Sequence, residues 1–487
     1  MKHRPLLTLM FLTIALIPLG AYADSAPVVR VMTTYQEYDP FQPWQKRSPS
    51  TRAGFGVVIN ETHVLTTARL VRNHTLIEVQ LARSGEKITA TLVKADPQVN
   101  LALLHIATNA QQTPLPPQTT IAEEVPLRSE VEIIQIDETR AIQRGDGRIL
   151  KTLVDDLPYY PYSALQDDVL TDLNVDGEGA AVFYDDKLAG LMLSYSRASR
   201  TGKMLPSMFI SRFIHDAMEG DYNGFASAGF SWKPLVDPIK RAFLGVNSPQ
   251  DGIQVLSCLP ETDTNHGLKP NDVILIWDGH AIDNLGYYVD AHYGRLLFPH
   301  LIKGLRIPGD TVAVTIVRDT RQQDIMVPLT CRDEANDLIP ENICGTPDAY
   351  LVEGGLLIQE LTGRMLKAYG AQWQTRVDPR LAHLYLTRKF TPEQPGERIV
   401  LLSSVLPDPI NIGYQHFRNQ IIEAVNQKPI RNIHDVFRIA NADGSIRSLS
   451  LHAIDVDIVL DQDTLAIANQ RISDLYRLPA LRREVSE

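Results

Sequence analysis

The stretch Gly54-Phe55-Gly56-Val57-Val58-Ile59, followed after a polar turn by Val64-Leu65-Thr66-Thr67-Ala68-Arg69-Leu70-Val71, reads as two short β-branched runs. Such runs fit a pleated, half-buried surface and not a helix face. The same texture continues outward in Leu76 to Leu81, Ile88 to Val93 and Ala102 to Ile106. Thr108 to Pro117, rich in Gln, Thr and Pro, breaks the pattern and reads as a connector. Strands resume at Val131 to Ile136 and end near Tyr195, and Met208 to Met218 has the apolar spacing of a closing helix. Short strands with turns between them predict an all-β barrel or sandwich in two halves, with no βαβ units.

Beyond this region the chain repeats itself. Asn271-Asp272-Val273-Ile274-Leu275-Ile276-Trp277-Asp278-Gly279-His280-Ala281-Ile282 matches Asn419-Gln420-Ile421-Ile422-Glu423-Ala424-Val425-Asn426-Gln427-Lys428-Pro429-Ile430. A similar strand precedes each copy, Val255 to Pro260 and Leu401 to Pro407. Strand, loop, strand and tight turn recur in one order, which predicts two copies of a single module. Asp278-Gly279 and Asn426-Gln427 stand where hairpin turns are needed.

The chain has 487 residues, enough for about three domains. Its net charge of −11 argues against nucleic acid or an anionic membrane as a general partner. Lys2, His3 and Arg4, the apolar run Leu6 to Leu19 and Ala21-Tyr22-Ala23 fit a cleaved secretory leader. The run falls short of the roughly 18 residues of a spanning helix, so no stable membrane insertion is expected. Only three cysteines are present, Cys258, Cys331 and Cys344, without metal-ligand spacing, so neither a metal nor another cofactor is expected. A Cys331–Cys344 disulfide and three free thiols both remain open.

Together these segments resemble the HtrA/Deg family of trypsin-like serine proteases with two PDZ domains. Gly54 to Ile59 looks like the family's GSGVII strand, Val64 to Val71 like ILTNAHVV, and Asp96 to Leu104 like DPxxDLAVL. Leu173-Asn174-Val175-Asp176-Gly177-Glu178-Gly179-Ala180-Ala181-Val182 takes the place of INPGNSGGPL. Pro308-Gly309-Asp310 and Ile410-Asn411-Ile412-Gly413-Tyr414 are similar to the plant-type Deg branch. The resemblance implies a mainly β fold, a trypsin-like double β-barrel followed by two PDZ domains. The expected boundaries are 1–23 for the signal peptide, 24–50 for an N-terminal segment and 51–220 for the protease-like domain. The first PDZ domain is expected at 221–336, the second at 345–460, and a C-terminal tail at 461–487.

The same match puts Arg69 at the family's general base, Asn100 at its orienting Asp and Glu178 at its nucleophile. Arg stays protonated, Asn carries no charge for an imidazolium, and Glu has no hydroxyl. These identities lead to the expectation of no enzyme, a pseudoprotease whose triad is degenerate and whose opposite charges at 69 and 178 form an ion pair. The Asn100 amide is expected to accept from the Arg69 guanidinium. A serine-type endopeptidase with a non-standard site is the alternative, with His63, His74, Ser194 and Ser196 as a relocated pair. A PDZ groove adds an extended peptide as a strand and holds its terminal carboxylate on loop N–H groups. The resemblance assigns that loop to Ala228-Gly229-Phe230 in the first module and Gly354-Gly355-Leu356 in the second, with self-plugging of either groove left open. It implies a secreted, periplasmic binder of peptides or protein C-termini that serves as scaffold, chaperone-like factor or regulator. The partners it implies are an active protease or misfolded clients, with homotrimeric assembly.

Overall fold

A computed structural model describes residues 26–484, apart from 83, 108–113, 221, 247–250, 260–266, 343–346 and 453–455. The leader, part of the connector and Cys344 therefore lie outside the described residues; Cys331 is a free thiol.

Two closed six-stranded barrels come first. The first runs Val28–Tyr35, Ser50–Val58, His63–Thr66, Leu101–Ile106, Lys87–Asp96, His74–Gln80. The second runs Ile142–Asp156, Ser163–Thr171, Thr201–Pro206, Lys187–Ser196, Ala181–Tyr184, Glu130–Ile136. Alternation explains the closure: Val31, Val58, Val64, Val79 and Leu104 fill the interior of the first barrel, while Val57, Leu65, Leu101 and Leu103 on its other face are buried in the core shared with the second barrel, where Ile133, Leu191 and Met204 also lie. The helix Ser207–Glu219 follows, burying Phe209, Ile210 and Phe213.

The expected start of the barrel domain at residue 51 is too late. Val28–Tyr35 pairs with both Ser50–Val58 and His74–Gln80, and without it the first barrel would have an open edge. The hairpin that follows reaches to the other end of the chain. Gln359 Nε2 donates to the Pro40 carbonyl at 3.1 Å, Arg483 Nη1 donates to the Pro43 carbonyl at 2.9 Å, and Trp44 packs edge-on against Tyr350.

Both repeats fold as one sheet motif. Asn271 and Asn419 each take a left-handed backbone (φ 77° and 53°) before equivalent strands, Val273–Trp277 and Gln420–Val425. The first module's sheet is ordered Phe230–Pro234, Ile253–Cys258, Val273–Trp277, Thr311–Arg318, Arg321–Pro328. The second has the order Asp457–Val459, Ser448–Leu451, Gln420–Val425, Val400–Val405, Leu356–Glu360, Tyr350–Glu353, Arg482–Arg483.

The segment after residue 460 is no tail. The helix Gln462–Tyr476 buries Ala468 and Ile472 against Tyr350, Val352 and Leu357, and Arg482–Arg483 extends the sheet. Amphipathic spacing at Leu465, Ala468 and Ile472 carries this packing.

At the two hairpin turns, Asp278-Gly279 and Asn426-Gln427, all four residues have positive φ. Gln427 (φ 62°) is the one without a structural reason to tolerate it. Replacing Gln427 with Gly should stabilise the second module by about 0.5–1 kcal/mol, the difference between relieved strain and the glycine's unfolded-state entropy. Thermal unfolding would show it as a raised midpoint; a lowered one would contradict the turn assignment.

Candidate functional site

The three positions picked out by the motifs meet in the cleft between the barrels. Arg69 is the second residue of the single helical turn Ala68–Val71, whose first amides need acceptors from outside. Asn100 supplies them: its carbonyl accepts from Ala68 N at 3.2 Å and its Oδ1 accepts from Arg69 N at 2.9 Å. Asn100 can do both because it takes a left-handed backbone (φ 54°), which Asn tolerates better than most residues. The expectation that it would receive the guanidinium is therefore corrected. It binds the backbone of residue 69, because the short turn brings that amide closer than the long side chain.

Glu178 enters from the second barrel. Gly177 and Gly179 flank it with φ of 116° and 85°, and its carbonyl accepts from Phe55 N at 2.9 Å. A β-carbon on residue 54 would stand 2.6 Å from that carbonyl, so the two barrels approach this closely only over a glycine. Arg69 Nη1 donates to Glu178 Oε1 at 2.9 Å, forming the expected ion pair, with side-chain exposures of 35% and 5%. The guanidinium also lies 3.6 Å from the centre of the Tyr159 ring. Burial pushes the Glu178 carboxyl up from its ordinary range, while Arg69, then Asn100 and Thr67, pull it back. Within the same turn the Asp176 N–H donates to Gln135 Oε1 at 3.1 Å.

The relocated pair does not assemble. His63 contacts Asn60, Thr62 and His105, and His74 Nδ1 bonds the Val71 carbonyl. Ser194 and Ser196 stay in the ladder opposite Lys203 and Thr201.

The two glycine loops differ. In the first module Gly229 (φ 64°) leads into Phe230–Pro234, whose outer edge has no partner strand among the described residues. Beside it runs the helix Pro299–Lys303, and between them lies a cavity of about 360 Å³. Phe230, Trp232, Phe298 and Ile302 line it, and Tyr162 and Leu165 of the second barrel close one wall. In the second module Gly354 and Gly355 instead form the tight turn between Tyr350–Glu353 and Leu356–Glu360. Tyr350–Glu353 thus lies along the edge a peptide would take, and Val400–Val405 holds the other edge. The loop's Gly354 N–H donates to Asn469 Oδ1 at 2.7 Å. Gly354, Gly355 and Leu356 therefore offer no open cradle; the chain itself fills that groove.

Tyr159, Tyr162 and Lys303 belong to these sites and were missed in the sequence. The run Tyr159-Tyr160-Pro161-Tyr162 was the available signal for the first two; a lone lysine gave none.

Residues 54–188 match the trypsin-like peptidase domain family and residues 339–484 match a PDZ domain family. Protease Do-like 2, chloroplastic, from Arabidopsis thaliana is 26% identical over 418 residues, covering 84% of this chain and 66% of its own length. Protease Do-like 4, mitochondrial, from the same plant is 24% identical over 469 residues, 93% of this chain and 84% of the relative. An HtrA-type protease, AlgW, solved as a variant with a decapeptide, superposes with a TM-score of 0.51 at 19% identity, covering 63% of this chain and 95% of that one. A trypsin-like peptidase domain with a PDZ domain, and these relatives, support an HtrA/Deg-type chain.

These likenesses correct the expectation of no enzyme. The HtrA/Deg relatives above are named as proteases, and the double barrel that carries their site is intact here. Three side chains bear on one mechanism, Ser-His-Asp acyl transfer at these positions, and on nothing wider.

A buried carboxylate with a raised pKa favours the fold below that pKa, and the contribution is lost as pH rises through it. Arg69→Ala removes the largest opposing pull on Glu178 and should destabilise the protein by about 2–3 kcal/mol at pH 7. This lies below the range for a fully buried pair because Arg69 is one-third exposed. The deficit should shrink towards pH 5 as Glu178 takes up a proton. Denaturant unfolding at both pH values measures it, and a deficit independent of pH would contradict the pairing.

Proposed function

We propose that this HtrA/Deg-type protein captures extended peptides by their free C-termini in the groove of its first PDZ module. One observation carries the reading: the edge of Phe230–Pro234, without a partner strand among the described residues, follows a glycine loop and lies beside a cavity to which Phe230, Trp232, Phe298 and Ile302 contribute apolar side chains. An incoming strand gains ladder hydrogen bonds from the edge, and a terminal apolar side chain fits the cavity. The AlgW structure is of an HtrA-type protease with a decapeptide, which supports peptide engagement by this fold. Peptide capture suits a scaffold, chaperone-like factor or regulator in protein quality control. Delivery to a periplasm-type compartment rests on the leader pattern of Lys2 to Ala23, and homotrimeric assembly rests on the family resemblance.

Cleavage is the second reading, a serine-type endopeptidase with a non-standard site, and the relatives named as proteases favour it. Incubation with unfolded casein tests it directly. Fragments formed by the wild type and lost in Glu178→Ala would place hydrolysis in the cleft.

For capture, a peptide with a free apolar C-terminus should bind at least about tenfold more tightly than its amide, because amidation removes a charge-assisted interaction. Gly229→Val should weaken the acid form, since residue 229 has φ 64° and valine resists that backbone. Equal affinities for acid and amide in a calorimetric titration would rule out this mode.

A further inference from the structure

The first groove contains a cation that the glycine-loop reading does not use. Lys303 ends the helix Pro299–Lys303 and lines the same cavity as Ser227 and Ala228. Its ammonium is turned inward and donates to two backbone carbonyls, Ser163 at 2.8 Å and Gln98 at 3.2 Å. These acceptors come from the second and the first barrel respectively, so the lysine sits where both barrels meet the module. Among the described residues it makes no ion pair. The Tyr162 ring centre is 5.6 Å away.

The charged groups around it do not neutralise it. Asp96 is the opposing charge that acts on it, but at a distance: it forms no ion pair with the ammonium among the described residues, and its carboxylate accepts instead from the Tyr222 hydroxyl and the Gln98 amide. Lys94 lies over the far side of the Tyr222 ring. Arg332 adds positive charge, partly matched by Asp337 at 2.8 Å. His300, one turn earlier on the helix, is buried and held neutral, its pKa lowered to about 4. Neutral carbonyls compensate an ammonium less well than a carboxylate does.

We infer that Lys303 is the counter-charge for the ligand's C-terminal carboxylate in the first PDZ groove. This rests on the capture reading above and adds the residue that makes it selective for a free terminus. Burial lowers the Lys303 pKa to about 8. A carboxylate alongside should return it towards its ordinary value, so binding near that pH must draw a proton from solvent.

The test is calorimetric titration of the full chain with an N-acetylated decapeptide ending in a free phenylalanine, and with its amide, in two buffers of different ionisation enthalpy. At pH 8.5 the acid peptide should take up about 0.7 of a proton, the difference between a group of pKa about 8 and one fully protonated. At pH 6.5 uptake should be close to zero, and the amide should take up none at either pH. Lys303→Gln should abolish the uptake and weaken the acid peptide about tenfold while sparing the amide. Tight binding of the acid form with no proton uptake at pH 8.5 in the wild type would overturn the role of Lys303 and leave capture standing. Failure of both peptides to bind would overturn the two together. The wild-type proton balance decides the matter even if the variant does not fold.

Discussion

A strand edge without a partner is a row of backbone donors and acceptors waiting for another strand, and this protein's architecture is largely a disposition of such edges. The barrels remove theirs by closing, which is why Val28–Tyr35 must belong to the first. In the second PDZ module Tyr350–Glu353 lies along the groove edge of Leu356–Glu360 and is itself paired by Arg482–Arg483. In the first module the equivalent edge, on Phe230–Pro234, has no partner strand among the described residues and lies beside a cavity of mixed polar and apolar lining. Two copies of one sheet motif therefore have different capacities. The difference arises from one extra strand, Tyr350–Glu353, and from the glycine turn that joins it to Leu356–Glu360.

The cleft between the barrels follows a second constraint, charge in a confined space. Glu178 is almost wholly buried because the turn that holds it is pinned through its carbonyl to Phe55. A carboxylate there needs a cation, and Arg69 supplies one with Tyr159 stacked over its guanidinium. The pair joins an element of each barrel. Lys303 does similar work at the next junction, where PDZ module and both barrels converge on one ammonium. Polar contacts at these seams set domain orientation, while the apolar cores set each domain's fold.

Much of this was legible in the residues. Period-two strands marked both barrels, and the repeat at Asn271 and Asn419 marked two copies of a module whose turns share left-handed residues. The motifs brought Arg69, Asn100 and Glu178 together correctly because each lies within a rigid local turn. What escaped depended on long-range pairing. Tyr350–Glu353 reads as an ordinary strand, and nothing local says that it lies in its own module's groove. The hairpin near Trp44 and the helix Gln462–Tyr476 looked peripheral because their partners are distant in sequence. Activity was misjudged for a different reason: side-chain identity at three positions speaks to one mechanism, whereas likeness to the named relatives speaks to the whole fold.

The central claim is that each chain has one groove able to accept a peptide strand, in the first module. Photo-cross-linking of an acid peptide carrying a photoreactive phenylalanine at its terminus, followed by mass spectrometry of the adducts, tests it most directly. The account predicts adducts on Phe230, Trp232, Phe298 or Ile302, and on the barrel wall at Tyr162 or Leu165. Adducts on Leu356–Glu360 or on the helix Ile433–Asp443 would mean that Tyr350–Glu353 yields to a ligand, and would contradict it.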